Sequence, residues 1–252
     1  MIKFFRKIRQ RLITENQFRK YLLYAIGEIV LVVIGILIAL QINTWNQKRI
    51  AKEDERKILA NLKSEFQQNR KELSGAIAMN EKCMETGRFI MGLIGNDIEK
   101  IREIDTDSLL FQGFEYAQFN PSENALADLL QSGRLNLISD EYLKSLLYQW
   151  TRAKKGAEDQ FSGLDDKIED DLVPYLTLNY PLRDVDSYGR LAWKEKSKLD
   201  NDKTLIFRDM QYENLLDDFL YRLSGYTIEL KRMDIIFKAV VAEIEKLEKN
   251  IQ

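Results

Sequence analysis

The sequence contains no histidine and a single cysteine, Cys83. The absence of histidine excludes the commonest general base and metal ligand, every Ser-His or Cys-His nucleophile, and the Glu-x-x-His iron sites of helical bundles. One cysteine cannot form an intramolecular disulfide or a zinc knuckle, and its place beside Met84 on a helix favours a packed, small hydrophobic side chain. Neither Gly-rich phosphate-binding motif is present. These absences favour a protein that is not an enzyme and that has no cofactor or metal site.

Proline is also scarce, and its distribution is uneven. All three prolines, Pro121, Pro174 and Pro181, lie beyond residue 120. The first half of the chain therefore lacks the strongest helix breaker, and long helices are permitted there.

A long apolar run occupies residues 21–42, and its only ionisable acid is Glu28. An α-helix of this length spans about 33 Å, enough to cross a hydrocarbon core of about 30 Å. A cleavable signal peptide is the alternative, but its apolar region would be shorter and would end in small residues. This run instead ends in polar residues, Gln41, Asn43 and Thr44. The pattern predicts an uncleaved, single-pass transmembrane helix over 21–42.

Basic residues are concentrated ahead of this run, in an arm over residues 1–20 with a local charge of +6. Five basic residues follow the run, interleaved with three acids. This asymmetry predicts a cytoplasmic N-terminus in the inner membrane and an exported domain over 43–252, which would be periplasmic in a Gram-negative cell. The arm itself has two open interpretations, a short helix bound to anionic headgroups or a disordered topology signal.

Two sequence segments carry a resemblance. GEIVLVVIGILIALQINTWN, residues 27–46, is followed by a charged helix and later by ALADLLQSGRLNLISDEYLKSLLYQW, residues 125–150. Together they resemble an uncharacterised family of bacterial single-pass membrane proteins, known only as a domain of unknown function. The resemblance implies a membrane location and a helical soluble region, and it implies no activity, cofactor or catalytic residue.

Apolar residues recur at spacings of three and four through most of the remaining chain, which indicates amphipathic helices. We predict long helices over about 48–95, 140–173 and 210–250, and a short helix over about 123–132. The last of the long helices has a strict heptad seam from Tyr212 to Ile251. The sequence therefore predicts an all-α fold, a single N-terminal transmembrane helix followed by an elongated antiparallel bundle with coiled-coil-like packing at about +20°.

Some residues in the helical patterns do not fit a plain apolar core. Asn69 and Asn80 fall in the apolar register of the first long helix; a buried Asn can specify register, but positions at the rim of the bundle are the favoured interpretation. The aromatic cluster from Phe111 to Phe119 is interpreted as a cap on the end of the bundle rather than a ligand platform. Asp166 and Asp170 are four residues apart and could share a divalent cation, but a solvated acidic face is favoured.

The predicted interaction site lies within the transmembrane helix. A charged carboxylate at the bilayer centre costs about 2.5–3.5 kcal/mol on insertion scales, so Glu28 requires an explanation. Helical spacing places it on one face with a small-x-x-x-small pair suited to close helix contact. The members of this face are Glu28, Leu31, Gly35, Ala39 and Ile42.

The predicted function is therefore a membrane-anchored interaction or scaffold protein. Its expected partners are the lipid bilayer and, through this face and the bundle, its own copies or another membrane protein. The alternatives are a proton-coupled accessory subunit that uses Glu28, and a sensor with an exported domain. Basic and acidic residues alternate on the soluble domain, so no nucleic acid is expected, and no motif identifies a small-molecule substrate.

Overall fold

The structure is a computed structural model that describes residues 18–199 and 201–251. Helices account for its regular structure, and no strand occurs in these two ranges. The all-α helical bundle predicted from sequence is confirmed. Residues 1–17 of the predicted basic arm, which spans 1–20, lie outside the described residues.

The helices are numbered here in chain order. The α-helices are α1 (Phe18–Leu93), α2 (Ile98–Arg102), α3 (Thr106–Gly113), α4 (Asn124–Gln131), α5 (Glu141–Lys167), α6 (Val173–Asn179), α7 (Leu182–Val185) and α8 (Met210–Ile251). A π-helical turn, Ile168–Leu172, joins α5 to α6, and short 3₁₀ segments occur at Arg134–Leu137, Asp186–Tyr188 and Leu205–Arg208.

The first helix differs from the sequence prediction. Separate helices were predicted over 21–42 and 48–95, but α1 is continuous from Phe18 to Leu93. The polar residues between the two predicted helices include no proline or glycine, so nothing there disfavours helical backbone. The chain divides into two compact units, Met1–Arg56 and Lys57–Gln252, and the following paragraphs concern the second.

The core of the second unit lies between α8, α5 and the part of α1 that begins at Lys57. Phe66 of α1 is fully buried and contacts the rings of Trp150 in α5 and Phe237 in α8, with centroids 5.6 and 5.3 Å away. The predicted heptad seam of α8 supplies most of its buried face. The buried seam residues are Tyr212, Leu216, Phe219, Leu223, Tyr226, Leu230, Met233, Phe237, Val240 and Ile244.

Ion pairs and close contacts define the helix directions. Lys63 pairs with Glu248 and Lys231 pairs with Glu81, so residue numbers rise along α1 while they fall along α8. Arg222 of α8 donates to the carbonyl of Gly163 in α5, and Gly156 of α5 lies beside Glu229. The last helix is therefore antiparallel to both α1 and α5, which run parallel to each other. A parallel pair needs a return connection between them.

That return connection is an extended segment, residues 115–123, which we call the strap. Asn80 of α1 accepts from the backbone N–H of Ala117 (2.7 Å) and donates to its carbonyl (3.2 Å). Asn69 makes the same pair of bonds with Ser122, at 2.8 and 2.7 Å. Both asparagines are buried, so the interpretation of rim positions is wrong. They are buried because an extended backbone without a neighbouring strand needs partners for its N–H and C=O groups.

The aromatic cluster also packs inwards. The ring of Phe119, in the strap, meets the ring of Phe237 edge-on. The backbone N–H of Phe119 donates to the Tyr226 hydroxyl over 2.8 Å. Just ahead of the strap, the Cys83 thiol donates to the carbonyl of Gly113 (3.1 Å). Burial raises the pKa of Cys83 to about 12, as expected for a packed thiol and not for a redox centre.

The predicted end of the second long helix, at residue 173, is wrong because helical backbone continues through Pro174 to Asn179. Proline has no N–H and its ring crowds the carbonyl four residues earlier. The π-helical turn just before it widens the backbone, and the N–H of Val173 bonds to the carbonyl of Ile168, five residues back. The chain thus passes the proline without ending the helix.

Candidate membrane anchor and interaction face

The apolar part of α1 is exposed on all sides within the described chain. Its most apolar 18-residue window has a mean hydropathy of 2.6, and none of that window is buried. By length and composition, α1 qualifies to cross a membrane. Soluble monomers rarely expose an apolar patch of this extent, because its contact with water is unfavourable. A lipid phase or another protein is therefore the expected environment of this segment.

All five residues of the predicted interaction site lie on α1. At 100° per residue, they fall within an arc of about 80° around the helix axis, which we call the anchor face. Leu31 and Ile42 are 70% and 61% exposed, whereas Glu28 is half-buried. A Cβ atom added at Gly35 would have no neighbour within 4 Å. Together, Gly35 and Ala39 leave a shallow, open groove in this face, in line with Glu28.

This geometry permits close contact between helices. Small residues four apart allow two helix backbones to approach, so that van der Waals contact and weak Cα–H donors become available. A carboxyl group on the same face adds one hydrogen-bonding group. Its hydrogen bond stabilises a helix contact most where water is excluded. No residue of the described chain packs into the groove at Gly35. The anchor face is therefore an open surface suited to a second helix.

A second polar site lies at one end of the bundle and includes none of the residues singled out by sequence patterns. Lys203 bridges two buried carboxylates, Asp107 of α3 and Asp184 of α7, over 2.7 Å each. Lys196 adds a further bond to Asp107 (2.9 Å), and the Tyr180 hydroxyl donates to the same carboxylate (2.8 Å). We call these five residues the end cluster. No sequence spacing brings them together, because they come from well-separated segments.

The charges of the end cluster compensate one another. Burial opposes ionisation of Asp107, but hydrogen bonds from Lys203, Lys196 and Tyr180 outweigh it, and the pKa of Asp107 lies below its usual value. Burial, with the neighbouring Asp107, raises the pKa of Tyr180 well above its usual range. The phenol is therefore a neutral donor and the carboxylate a charged acceptor. This arrangement ties the loop that carries Lys196 and Lys203 to α3 and α7.

A largely apolar cavity of about 700 Å³ lies beside the π-helical turn. Phe111 and Phe114 of the aromatic cluster and Leu172 of the turn line it, and Glu115 and Arg190 are among its charged lining residues. Its volume is in the range of small-molecule sites. Among the described residues, no group of three or more Asp, Glu or Cys side chains is arranged to hold a metal ion.

One comparison with known proteins is informative. Residues 28–139 match the model of a family of unknown function, DUF6090. The matched segment contains the anchor face, Asn69, Asn80 and the strap, and it ends before α5. The chain has no significant match among curated proteins or solved structures. Because the family has no known function, the match carries no activity to this chain.

Proposed function

We propose that this protein is a single-pass membrane protein that works by binding other proteins. In this proposal α1 crosses the inner (cytoplasmic) membrane of a bacterium, the N-terminus is cytoplasmic, and the helical bundle is exported to the periplasm. Its role is to tether or scaffold rather than to catalyse. The observation that carries the proposal is the exposed 18-residue apolar window of α1.

The charge pattern supports the proposed orientation, and the anchor face supports an interaction role. Seven basic residues precede the apolar run and one acid accompanies them, which is the bias of a cytoplasmic flank. Glu28 shares its face with the open groove at Gly35, and a carboxyl group is expensive in lipid but useful in a helix contact. Both features favour an anchor that also binds another membrane helix.

Membrane fractionation and protease protection test the anchor. The full chain is expected to stay in the membrane pellet after an alkaline wash, and a protease added to spheroplasts should digest the bundle. An intact bundle in spheroplasts, digested only after lysis, would reverse the orientation. Release by the alkaline wash would contradict the transmembrane helix itself.

Thiol crosslinking in membranes tests the anchor face. Gly35→Cys should give a crosslinked product, with a copy of the chain or with another membrane protein. Leu37→Cys is the matched control, because it lies in the same apolar window but about 160° around the helix from Gly35. Cys83 is buried and its raised pKa makes it unreactive, so it can be retained. Equal crosslinking at both positions, or at neither, would count against the face.

The same experiment separates the alternative in which Glu28 carries protons. Glu28→Gln keeps the size and hydrogen-bonding capacity of the side chain but cannot ionise. If crosslinking at Gly35 is unchanged while a proton-gradient-dependent phenotype is lost, the proton-coupled alternative is favoured. If crosslinking itself is weakened, the carboxyl group belongs to the contact.

The sensor alternative is supported by a different observation, the 700 Å³ cavity. A ligand bound there would contact both the π-helical turn and the segment that precedes the strap. Thermal denaturation of the purified protein against a panel of small apolar compounds tests this alternative. A compound that raises the Tm of the unaltered chain, but not of Val185→Trp, which places a larger side chain in the cavity wall, would support a sensor role.

A further inference from the structure

The last helix has a second apolar stripe, opposite its core seam. In the heptad of α8, the seam occupies positions a and d, and position f points directly away from it. This outermost position is normally polar, but in four successive heptads of α8 it is apolar. The residues of this outer stripe are Tyr221, Ile228, Ile235 and Ala242.

The outer stripe is open to solvent in the described chain. Tyr221 is 79% exposed, Ile228 50% and Ile235 66%. Beside Ile228 lies a groove of about 400 Å³ between α8 and α1, and Met84 lines it together with charged side chains that include Glu81 and Arg88. Apolar residues at heptad spacing on an exposed helix form a ridge that can interlock with another ridge of the same spacing.

Charges beside the outer stripe are separated along its length. Asp217 and Asp218 lie one turn before Tyr221, whereas Lys231 and Arg232 lie one turn after Ile228 and Lys238 lies one turn after Ile235. Between these ends, Ser224 and Gly225 leave a shallow section of the surface. With Arg222 counted, the net charge beside Tyr221 is negative; with Glu229 and Asp234 counted, the net charge between Ile228 and Lys238 is positive.

We infer that the outer stripe binds the outer stripe of a second copy of this chain, with the two α8 helices antiparallel about a two-fold axis at Ile228. This inference rests on the interaction role proposed above and adds a second surface to it. Antiparallel pairing brings Tyr221 of one copy to Ile235 of the other. It also places Asp218 opposite Lys238, and the long side chains of Lys231 and Arg232 over Ser224 and Gly225.

The opposite orientation has worse electrostatics. In a parallel pair, Asp217 and Asp218 would face their own counterparts, and the basic residues would likewise face each other. The charged side chains beside the stripe already make ion pairs. Lys238 pairs with Asp234, which also pairs with Arg70 of α1, and Asp218 pairs with Arg222. Lys231 pairs with Glu81 of α1, and Arg232 pairs with Glu229. Ion pairs between exposed side chains contribute little to stability and can be shared with a partner.

Crosslinking of variants with one added cysteine reports both the contact and its direction, since the native Cys83 is buried. The full chain is used in detergent micelles, where no bilayer constrains the orientation, with a short bismaleimide as the probe. Ile228→Cys should crosslink to itself. Tyr221→Cys and Ile235→Cys, carried on chains with different tags, should crosslink when mixed, and each alone should not, because residues 221 and 235 are about 21 Å apart along the helix.

Each other outcome overturns the inference. Self-crosslinking of Tyr221→Cys alone indicates parallel pairing, and no crosslink at Ile228→Cys indicates that a second copy does not cover the stripe. Tyr148→Cys on α5 is the matched control, since Tyr148 is exposed to a similar extent outside the stripe. Gly35→Cys provides a separate readout of the anchor face, so the failure of one surface is distinguishable from the failure of the other.

Charge exchange gives a second, independent test. Lys238→Glu should weaken self-association by about tenfold, since it places two acids opposite each other at both ends of the pair. Adding Asp218→Lys in the same chain should restore it. Both positions are on the surface, and unchanged thermal unfolding of the monomer confirms that the fold is intact. If the double variant associates as weakly as the single one, the pairing of residues 218 and 238 is wrong.

Discussion

Two parts of the same helix, α1, have opposite relations to their surroundings. From Ala25 to Ile42 apolar residues occupy every side of the helix and none of the 18-residue window is buried. From Lys57 to Leu93 they are concentrated on one face, where Leu59, Leu62 and Phe66 are fully buried. A helix with one apolar face completes its packing within the chain, whereas one without a polar face needs an apolar environment on all sides. The first part is therefore the segment that we expect to contact lipid or another protein.

The largest effect should come from the buried face. Phe66→Ala removes a ring that contacts Trp150 and Phe237, and should lower the free energy of unfolding by about 3–5 kcal/mol. Phe89→Ala, on the same helix but 52% exposed, is the matched control and should cost less than about 1 kcal/mol. Denaturant unfolding of the purified protein measures both. Equal losses of unfolding free energy in the two variants would contradict the difference in burial between the two faces of α1.

The asparagines that hold the strap should have the next largest effect. Asn80→Ala removes both bonds to Ala117 and leaves its N–H and C=O without partners, at a cost of about 2–4 kcal/mol. Limited proteolysis should then cut the strap before the helices. Asn214→Ala, at an exposed site on α8, is the control and should leave both unfolding and proteolysis unchanged.

The end cluster predicts a dependence on pH. Because the pKa of Asp107 is lower in the folded protein, its contribution to stability is complete above about pH 4, its unfolded pKa, and is lost as pH falls further. Asp107→Asn should therefore cost about 2 kcal/mol at pH 7 and much less at pH 2. Asp166→Asn, at an exposed acid, should show no such difference. A loss of stability of the same size at both pH values would exclude the ionised Asp107 carboxylate as the source of the stabilisation.

The smallest effect on stability should come from the anchor face. Gly35→Ile fills the groove in that face and should weaken association of the membrane helices by about 1–2 kcal/mol. The unfolding of the bundle should not change, because a side chain at Gly35 meets nothing within 4 Å. Association is measured by energy transfer between labelled chains in vesicles, with Leu37→Val as the control. Unchanged energy transfer with Gly35→Ile would remove the groove from the contact.

Sequence reasoning succeeded where local periodicity decides the outcome. From Tyr212 to Ile244 the seam of α8 is buried as its heptads predict. The helix α4 lies within one residue of its predicted bounds and ends before Gly133, whose φ of +69° suits glycine. It failed where partners are distant along the chain. Asn69 and Asn80 looked like rim residues because the strap that they bind is 37 to 53 residues away.

The end cluster was missed for a related reason. Asp107, Asp184 and Lys203 are common surface residue types, and their sequence context contains no motif that marks them for burial. A carboxylate is buried only when cations and donors surround it, and that requires the folded arrangement of three segments. The turn before Pro174 was likewise missed, because the rule that proline ends a helix does not anticipate a π-helical backbone.

The amino-acid sequence alone determined the helical class, the apolar run with its single carboxylate, and the two apolar stripes of α8, since each depends only on residue order and helical periodicity. The tertiary structure decided which polar residues are buried, how the chain returns between parallel helices, and which apolar stripe faces the core. Those outcomes depend on hydrogen bonds and packing between residues far apart in the chain. The free energy of burying a polar group depends on the distant groups that bond to it and pack against it, and the residues next to it in the sequence do not specify those groups.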